Sequence, residues 1–291
     1  MKKIILAVWV IFVSSLMTAI AADNQLQNIV FVPSLTKPYT YNVQQTFIQE
    51  LSEMNMVSGI ITEAEQHILF TSKNNTAFTG KSSCSFAKTK IYGMAMAGIA
   101  DTVVNHSNNA LYSDIIIIGN KCNIMSYTKD ISPNVNLENP NISAIISAVF
   151  RGSTMLFIPL PEHGITVGST WKKEADGLLG SISGPLSIKD QKSMIEYTLI
   201  GKQDTLGASC YIVDIKSKDF LIKQQMRQMN IDIAMEGEGM VKGRYYIDQK
   251  TGMTVIGSMK IEADIGLAVK EQESAIASMN ISFHYTCKKK D

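Results

Sequence analysis

Between Val255 and Ile265 the chain changes character at every step. Val255, Gly257, Met259, Ile261, Ala263 and Ile265 fall on one side, and Thr254, Ile256, Ser258, Lys260, Glu262 and Asp264 on the other. The same happens again at the C-terminus, where Ala277, Met279, Ile281, Phe283, Tyr285 and Cys287 alternate with Ser278, Asn280, Ser282, His284 and Thr286. A period of two held this long cannot be met by a helix of 3.6 residues per turn, so both segments are strands. One face must lie on a core and the other in water, which is the habit of antiparallel sheets. Strands of this length are near the upper end of the usual range.

The rest of the chain is read against that pattern. Tyr39, Tyr41 and Val43 alternate with Thr40, Asn42 and Gln44, which predicts a strand, and further strands are expected over Gly59 to Phe70 and around Thr76 to Phe86. The four isoleucines of Asp114 to Asn120 read as a buried strand with Cys122 to Lys129 as its continuation or partner, and TMLFIPL before Pro161 as another. Ser193 to Ser217 reads as two strands around a turn at Gln203 to Gly207. Two short helices are expected. One is Ile91 to Val104, where Gly93, Ala95, Ala97, Gly98 and Ala100 give poor strand propensity and a small-residue face; the other is Ser143 to Arg151, between a cap at Asn141 or Ser143 and Gly152. The fold class is therefore mainly β (α+β): a large curved antiparallel sheet or half-barrel with two short helices packed on its concave face.

The first residues, MKKIILAVWVIFVSSLMTAIAA, have Lys2 and Lys3, an apolar run from Ile4 to Val13 and small residues at Ala19 to Ala21. That is the layout of a secretory signal peptide over residues 1–21, with an uncleaved anchor as the alternative. No cysteine follows the apolar run, so a lipoprotein is not expected; the mature chain, 22–291, reads as a soluble exported domain, periplasmic or extracellular, with no further membrane-spanning segment. A soft boundary between two halves falls near 134–141, in the polar stretch SPNVNLENPN. With Lys2 and Lys3 set aside, 25 basic residues face 26 acidic ones and no basic stripe remains beyond Lys288 to Lys290, which argues against nucleic acid as a partner. An apolar content of 45% suffices for a real core. Cys84, Cys122, Cys210 and Cys287 make an even count in an oxidising compartment. Of the three connectivities open to four cysteines, Cys84 with Cys122 and Cys210 with Cys287 is the expected one, buried free thiols being the alternative.

GEGMVKG, Gly237 to Gly243, has the outline of a phosphate-binding loop, but its third glycine is one residue late and RYYID with the turn Asp248 to Gly252 follows where a helix is required. A bulge or bend in a curved sheet fits better. Gly80-Lys81-Ser82 lacks the first glycine of a P-loop, and GSISG at Gly180 to Gly184 has Ile182 in the nucleophile's place. His67, His106, His163 and His284 show no metal-ligand spacing. No catalytic constellation, metal set or cofactor motif is legible. The 16 methionines are in excess, and Met259 and Met279 lie on the apolar strand faces; such side chains fill cores and also adapt to apolar ligands.

PEHGITVGSTWKKE, Pro161 to Glu174, resembles the V-x-V-G-x-x-W entry of a poorly characterised family of exported bacterial proteins, a domain of unknown function. A YTL strand at Tyr197, G-x-x-C-x-I at Gly207 to Ile212, and GEG, YYID and TGM on to Met253 follow in the same order. The resemblance spans roughly Tyr39 to the C-terminus, clearest after Pro161. It implies an architecture similar to LolA-like half-barrel carriers of lipidated cargo, and it carries no catalytic residues. The functional expectation is a non-enzymatic exported binding protein of the cell envelope holding a lipid or other apolar ligand. Trp171, Tyr197, Met259, Ile261, Met279, Ile281 and Phe283 are expected to line its interior. The alternative is a structural or protein-interaction module of the envelope, its partner unknown, with a filled core.

Overall fold

The computed structural model describes residues 25–74, 76–94, 100–107, 112–131, 155–174, 194–228, 231–269 and 275–290; for 84–87, 106–107, 112–114, 126–131, 218–228, 231–233, 235, 269 and 275–276 the description is of the backbone alone. Twelve strands occur among these residues: β1 (Tyr39–Leu51), β2 (Met56–Lys73), β3 (Ala77–Tyr92), β4 (Thr102–Ser107), β5 (Tyr112–Gly119), β6 (Ile124–Ile131), β7 (Thr170–Glu174), β8 (Met194–Thr205), β9 (Ala208–Gln228), β10 (Ile231–Asp248), β11 (Thr254–Val269) and β12 (Ala275–Lys289). They form one open antiparallel sheet in the order β6-β5-β3-β2-β1-β12-β11-β10-β9-β8-β7, with β4 beside the end of β3. The first and last strands meet in the middle, Val43 opposite Cys287 and Phe47 opposite Phe283. Both halves of the chain thus feed one ladder.

Local chemistry places the turns. Leu206 and Gly207 both have positive φ, the conformation of a two-residue hairpin, and they join β8 to β9. Asp248 to Gly252 is the turn between β10 and β11, where Asp248 accepts from the amide of Lys250 and the hydroxyl of Thr251. The expected alternation of β1, β11 and β12 is observed: Tyr41, Val43, Met259, Ile261, Phe283 and Tyr285 are buried, while Asn42, Gln44, Asp264 and His284 are exposed.

Three expectations differ from what is observed, each for a physical reason. The described part of the stretch expected as a helix over Ile91 to Val104 is strand instead: β3 continues to Tyr92 and β4 begins at Thr102, with Ile91 paired to Thr102. Gly93 turns the chain at a φ of +70°, where a Cβ would lie 2.0 Å from the carbonyl oxygen of Val57. Its amide donates to Asp101 Oδ1 at 2.8 Å, so Gly93 and Asp101 hold the adjoining ends of β3 and β4 together. Ser143 to Arg151 lies outside the described residues, and among those described the longest helical piece is the 3-10 turn Ser52–Met54. The four isoleucines are buried on one side only: Ile116 and Ile118 are inside, while Ile115 is 49% exposed. TMLFIPL also departs from expectation, since its described part, Met155 to Leu160, is buried without joining the sheet as a strand.

That segment is one of two straps over the apolar face. Residues 155–167 and 25–37 bridge to each other through Gln27 and Ile165, whose amides and carbonyls exchange bonds of 2.6 and 2.9 Å. The strap carbonyls of Met155 and Leu156 accept from Tyr245 Oη and Thr254 Oγ1, and the Leu160 amide donates to Lys121 in the β5–β6 turn. These contacts require the sheet to curl. In a flat sheet β11, which Thr254 begins, and β5 would be five spacings or about 24 Å apart, yet the four residues from Leu156 to Leu160 reach at most about 14 Å. The core therefore sits on a concave face, with Ile116 and Ile118 of β5 and Tyr197 and Leu199 of β8 in one cluster around the straps.

The GEGMVKG stretch contributes to the curl. Gly237, Gly239 and Gly243 all stand on the concave side of β10, and the pairing with β9 slips between Gly239 and Val241. A Cβ at Gly237 would meet Asp264 O of β11 at 2.1 Å, and one at Gly243 would meet Ser258 O at 2.5 Å. Only glycine admits so close a backbone approach, so these residues mark a bulged bend.

Candidate functional site

The concave face has two ends of different character. At the end of the hairpin turns, Phe31 reaches from its strap into an aromatic nest, its ring meeting those of Phe70, Phe78 and Phe157 edge-on at 5.6, 5.3 and 6.1 Å. Tyr41 Oη donates to Thr254 O and Tyr211 Oη to Gln27 Oε1, so the phenols there are bonded as well as buried. Toward the other end the same face continues with Ala263, Ile265 and Met279, buried, and with Phe47, Leu51, Leu267 and Ile281, which pack on the cluster but remain part-exposed. Among the described residues the straps bond only at the first end.

All seven residues expected to line the interior are in this one cluster. Trp171 stacks on Tyr197 at 5.5 Å and donates its indole N–H to Pro159 O at 2.9 Å, so this pair is engaged with the strap. Met259 stands opposite Tyr285, Ile261 opposite Phe283 and Met279 opposite Ile265, which carries the apolar wall along β11 and β12 toward the less covered end. Phe47 and Leu51 are further members of that wall; they follow Val43 on the same alternation and could have been read from it.

A polar row crosses the apolar wall and was not foreseen. Thr89, Thr62, Gln45 and Tyr285 occupy successive places on β3, β2, β1 and β12, all buried and all on the concave face. Thr62 and Thr89 bond each other at 3.3 Å, and two places along the same face of β2 Gln66 donates to Ser82 Oγ at 2.9 Å. Gln45 Oε1 is buried without a hydrogen-bond partner, and Tyr285, its pair across β1 and β12, has its hydroxyl beside the Cys287 thiol. Leaving a buried polar group without a partner costs about 1–3 kcal/mol. Burial, and beside it the Cys287 thiol, pushes the Tyr285 phenol well above its usual range, so it stands as a neutral O–H.

The outer face carries a groove of about 570 Å³ between Asn42, Gln44, Glu63, Ser258, Thr286 and Lys288. Around it Thr40 meets His67 Nδ1 at 3.0 Å, His67 meets Glu65 at 3.3 Å, and Lys290 pairs with Glu65. On the opposite side of the groove His284 Nε2 meets Ser258 Oγ at 3.3 Å.

The expected disulfides are not formed. Cys122, Cys210 and Cys287 are buried free thiols, and only the backbone of Cys84 is described. Cys210 is on β9 and Cys287 on β12, three strand spacings or about 14 Å apart, against a limit of about 7 Å between bridged Cα atoms. Burial raises Cys287 to about 12 and Cys210 to about 11, so neither is an available thiolate near neutral pH.

No family model matches the chain, and no curated protein does. Among solved structures the chain is similar to a crystal structure of a DUF1329 family protein from Desulfovibrio piger ATCC 29098, at 8% identity over 87% of each chain and a TM-score of 0.14. A TM-score that low transfers neither fold detail nor function.

Proposed function

We propose that the protein is an exported, non-enzymatic binding protein of the cell envelope, and that it holds an apolar ligand on the concave face of its sheet. One observation carries the reading: apolar residues continue along the curled face past the polar row, whereas among the described residues the straps bond at one end of it. Phe47, Leu51, Leu267 and Ile281 are the part-exposed continuation of a packed core, and methionines stand in the same wall at Met259 and Met279. The leader-like sequence of residues 1–21, outside the described residues, supports export. No helix among the described residues is long and apolar enough to cross a membrane.

The test uses the part-exposed end. Ile281→Asp and Leu51→Asp put a charge on the wall without opening the aromatic nest. Both variants are expected to keep the cooperative unfolding of the parent and to lose binding of a fluorescent fatty-acyl probe. Unchanged probe binding in both would refute the reading. A second reading, a structural or interaction module, is favoured by the end at which Phe31, Phe157 and Leu160 fill the concavity from within. It predicts no acyl binding by the parent protein.

A further inference from the structure

We infer that the groove on the outer face of the sheet is a second binding site, and that it takes a short peptide by its two charged ends, the ammonium at Glu63 and the carboxylate at Lys288. It lies on the opposite side of the sheet from the apolar wall and does not depend on the apolar-ligand reading. Its volume is about 570 Å³. The side chains around it point away from the core, because they alternate with Val43, Ala64, Met259 and Cys287, which are buried. Asn42 and Gln44 of β1 form its floor between β2 and β12. Among the described residues Glu65 is already engaged by Lys290 and His67, and Ser258 meets His284. Among the same residues Glu63 and Lys288 line the groove from opposite walls and enter no ion pair; Lys88, across from Glu63 on β3, makes none with it.

Two opposite charges on facing walls, with neutral amides between them, select the ligand. A phosphate or other anion would meet Glu63 and Glu65, and a metal ion would meet Lys288 and Lys290. An apolar chain would strip water from Asn42 and Gln44 without returning a hydrogen bond. A peptide meets each group in kind. Its ammonium donates to the Glu63 carboxylate, its carboxylate accepts from the Lys288 ammonium, and the side-chain amides of Asn42 and Gln44 offer both donors and acceptors to the peptide units between. The span agrees as well. Gln44 pairs with Glu63 and Asn42 with Lys288, so Glu63 and Lys288 stand on either side of β1 and are offset along it, their Cα atoms about 12 Å apart. An extended peptide of two or three residues is about 7–10 Å long, and it bridges that distance with a hydrogen bond at each end. Ile256, half-buried, offers an apolar contact to a peptide side chain.

The experiment titrates the mature protein with trialanine, N-acetyl-trialanine, trialanine amide and maltotriose, in the parent, Glu63→Gln and Lys288→Met, and follows the side-chain amide signals of Asn42 and Gln44 by NMR. Both substituted positions are exposed, so the variants are expected to fold as the parent does. Trialanine is expected to shift both signals, and each cap to weaken it by about fivefold, the worth of an exposed ion pair. Glu63→Gln is expected to weaken trialanine by the same factor and to leave the acetylated form, which has no ammonium, as it was. Lys288→Met is expected to weaken trialanine likewise and to leave the amide, which has no carboxylate, as it was. Trialanine that moves neither signal, or caps that act equally in the parent and both variants, overturns the inference. Binding of maltotriose in place of trialanine would assign the groove to a neutral sugar and overturn it as well. All of these outcomes leave the apolar-ligand reading of the concave face standing.

Discussion

Phe31→Ala tests whether the strap of residues 25–37 is part of the folded core or lies on it passively. Phe31 is 2% exposed and meets three aromatic rings edge-on. Its loss removes a buried aromatic side chain and leaves a cavity between Phe70, Phe78 and Phe157. Truncations of that kind cost about 3–5 kcal/mol, and three edge-on partners, each contributing about 0.5–1.5 kcal/mol beyond area, place this one near the upper half of the range. The control is Val32→Ala, one residue on, where the side chain is 49% exposed and the amide bond to Thr251 O is retained. It should cost less than about 1 kcal/mol. Urea unfolding is followed by tryptophan emission, because in a chain beginning at residue 22 Trp171 is the only tryptophan, and it bonds the other strap. The midpoint of Phe31→Ala should fall with little change in slope. A loss under about 1 kcal/mol, or equal losses at Phe31 and Val32, would refute the assignment of the strap to the core.

Further outcomes follow from the same geometry. Gly237→Val should destabilise by more than about 2 kcal/mol, since its Cβ runs into the β11 backbone, whereas Gly201→Ala, with open space at its Cβ, should stay within about 1 kcal/mol in the same urea assay. Titrating thiols in denaturant without reductant should find Cys122, Cys210 and Cys287 all reactive; in the folded protein at neutral pH they should resist iodoacetamide, and thiols missing from the denatured count would reveal a disulfide. Glu53 accepts from the Ser278 amide with both carboxylate oxygens at 2.9 Å, and these bonds hold its carboxyl below the usual 4.5. Its folded pKa being depressed, the stabilisation is present above the ordinary carboxylate range and is lost as pH falls through the folded value. An NMR titration midpoint for Glu53 at or above 4.5 would contradict this.

The sheet was legible in the sequence because one face of each strand is wet. Period-two alternation located the faces of β1, β11 and β12, and the turn at Asp248 to Gly252 by its composition. What stayed hidden was whatever depends on partners far along the chain. The small residues after Ile91 look helical locally, but Gly93 is fixed by the approach of Val57, which no nearby residue announces. Met155 to Leu160 has a strand's apolar content, yet it is buried by crossing the concave face, and only the closed end of the sheet determines that. The cysteine pairing failed because an even count says nothing of which strands lie between Cys210 and Cys287. The polar row is the instructive case. Gln45 continues the alternation of Tyr41 and Val43 as an apparent exception, and only the strand register shows that it belongs to one buried row with Thr62, Thr89 and Tyr285.

The claim that the concave face carries an apolar ligand is tested most directly by native mass spectrometry of the mature protein purified from its own envelope fraction, followed by organic extraction. The account predicts a bound apolar species at near-stoichiometric level, lost from the Ile281→Asp variant. A bare mass, unchanged after incubation with an envelope lipid extract, would contradict it.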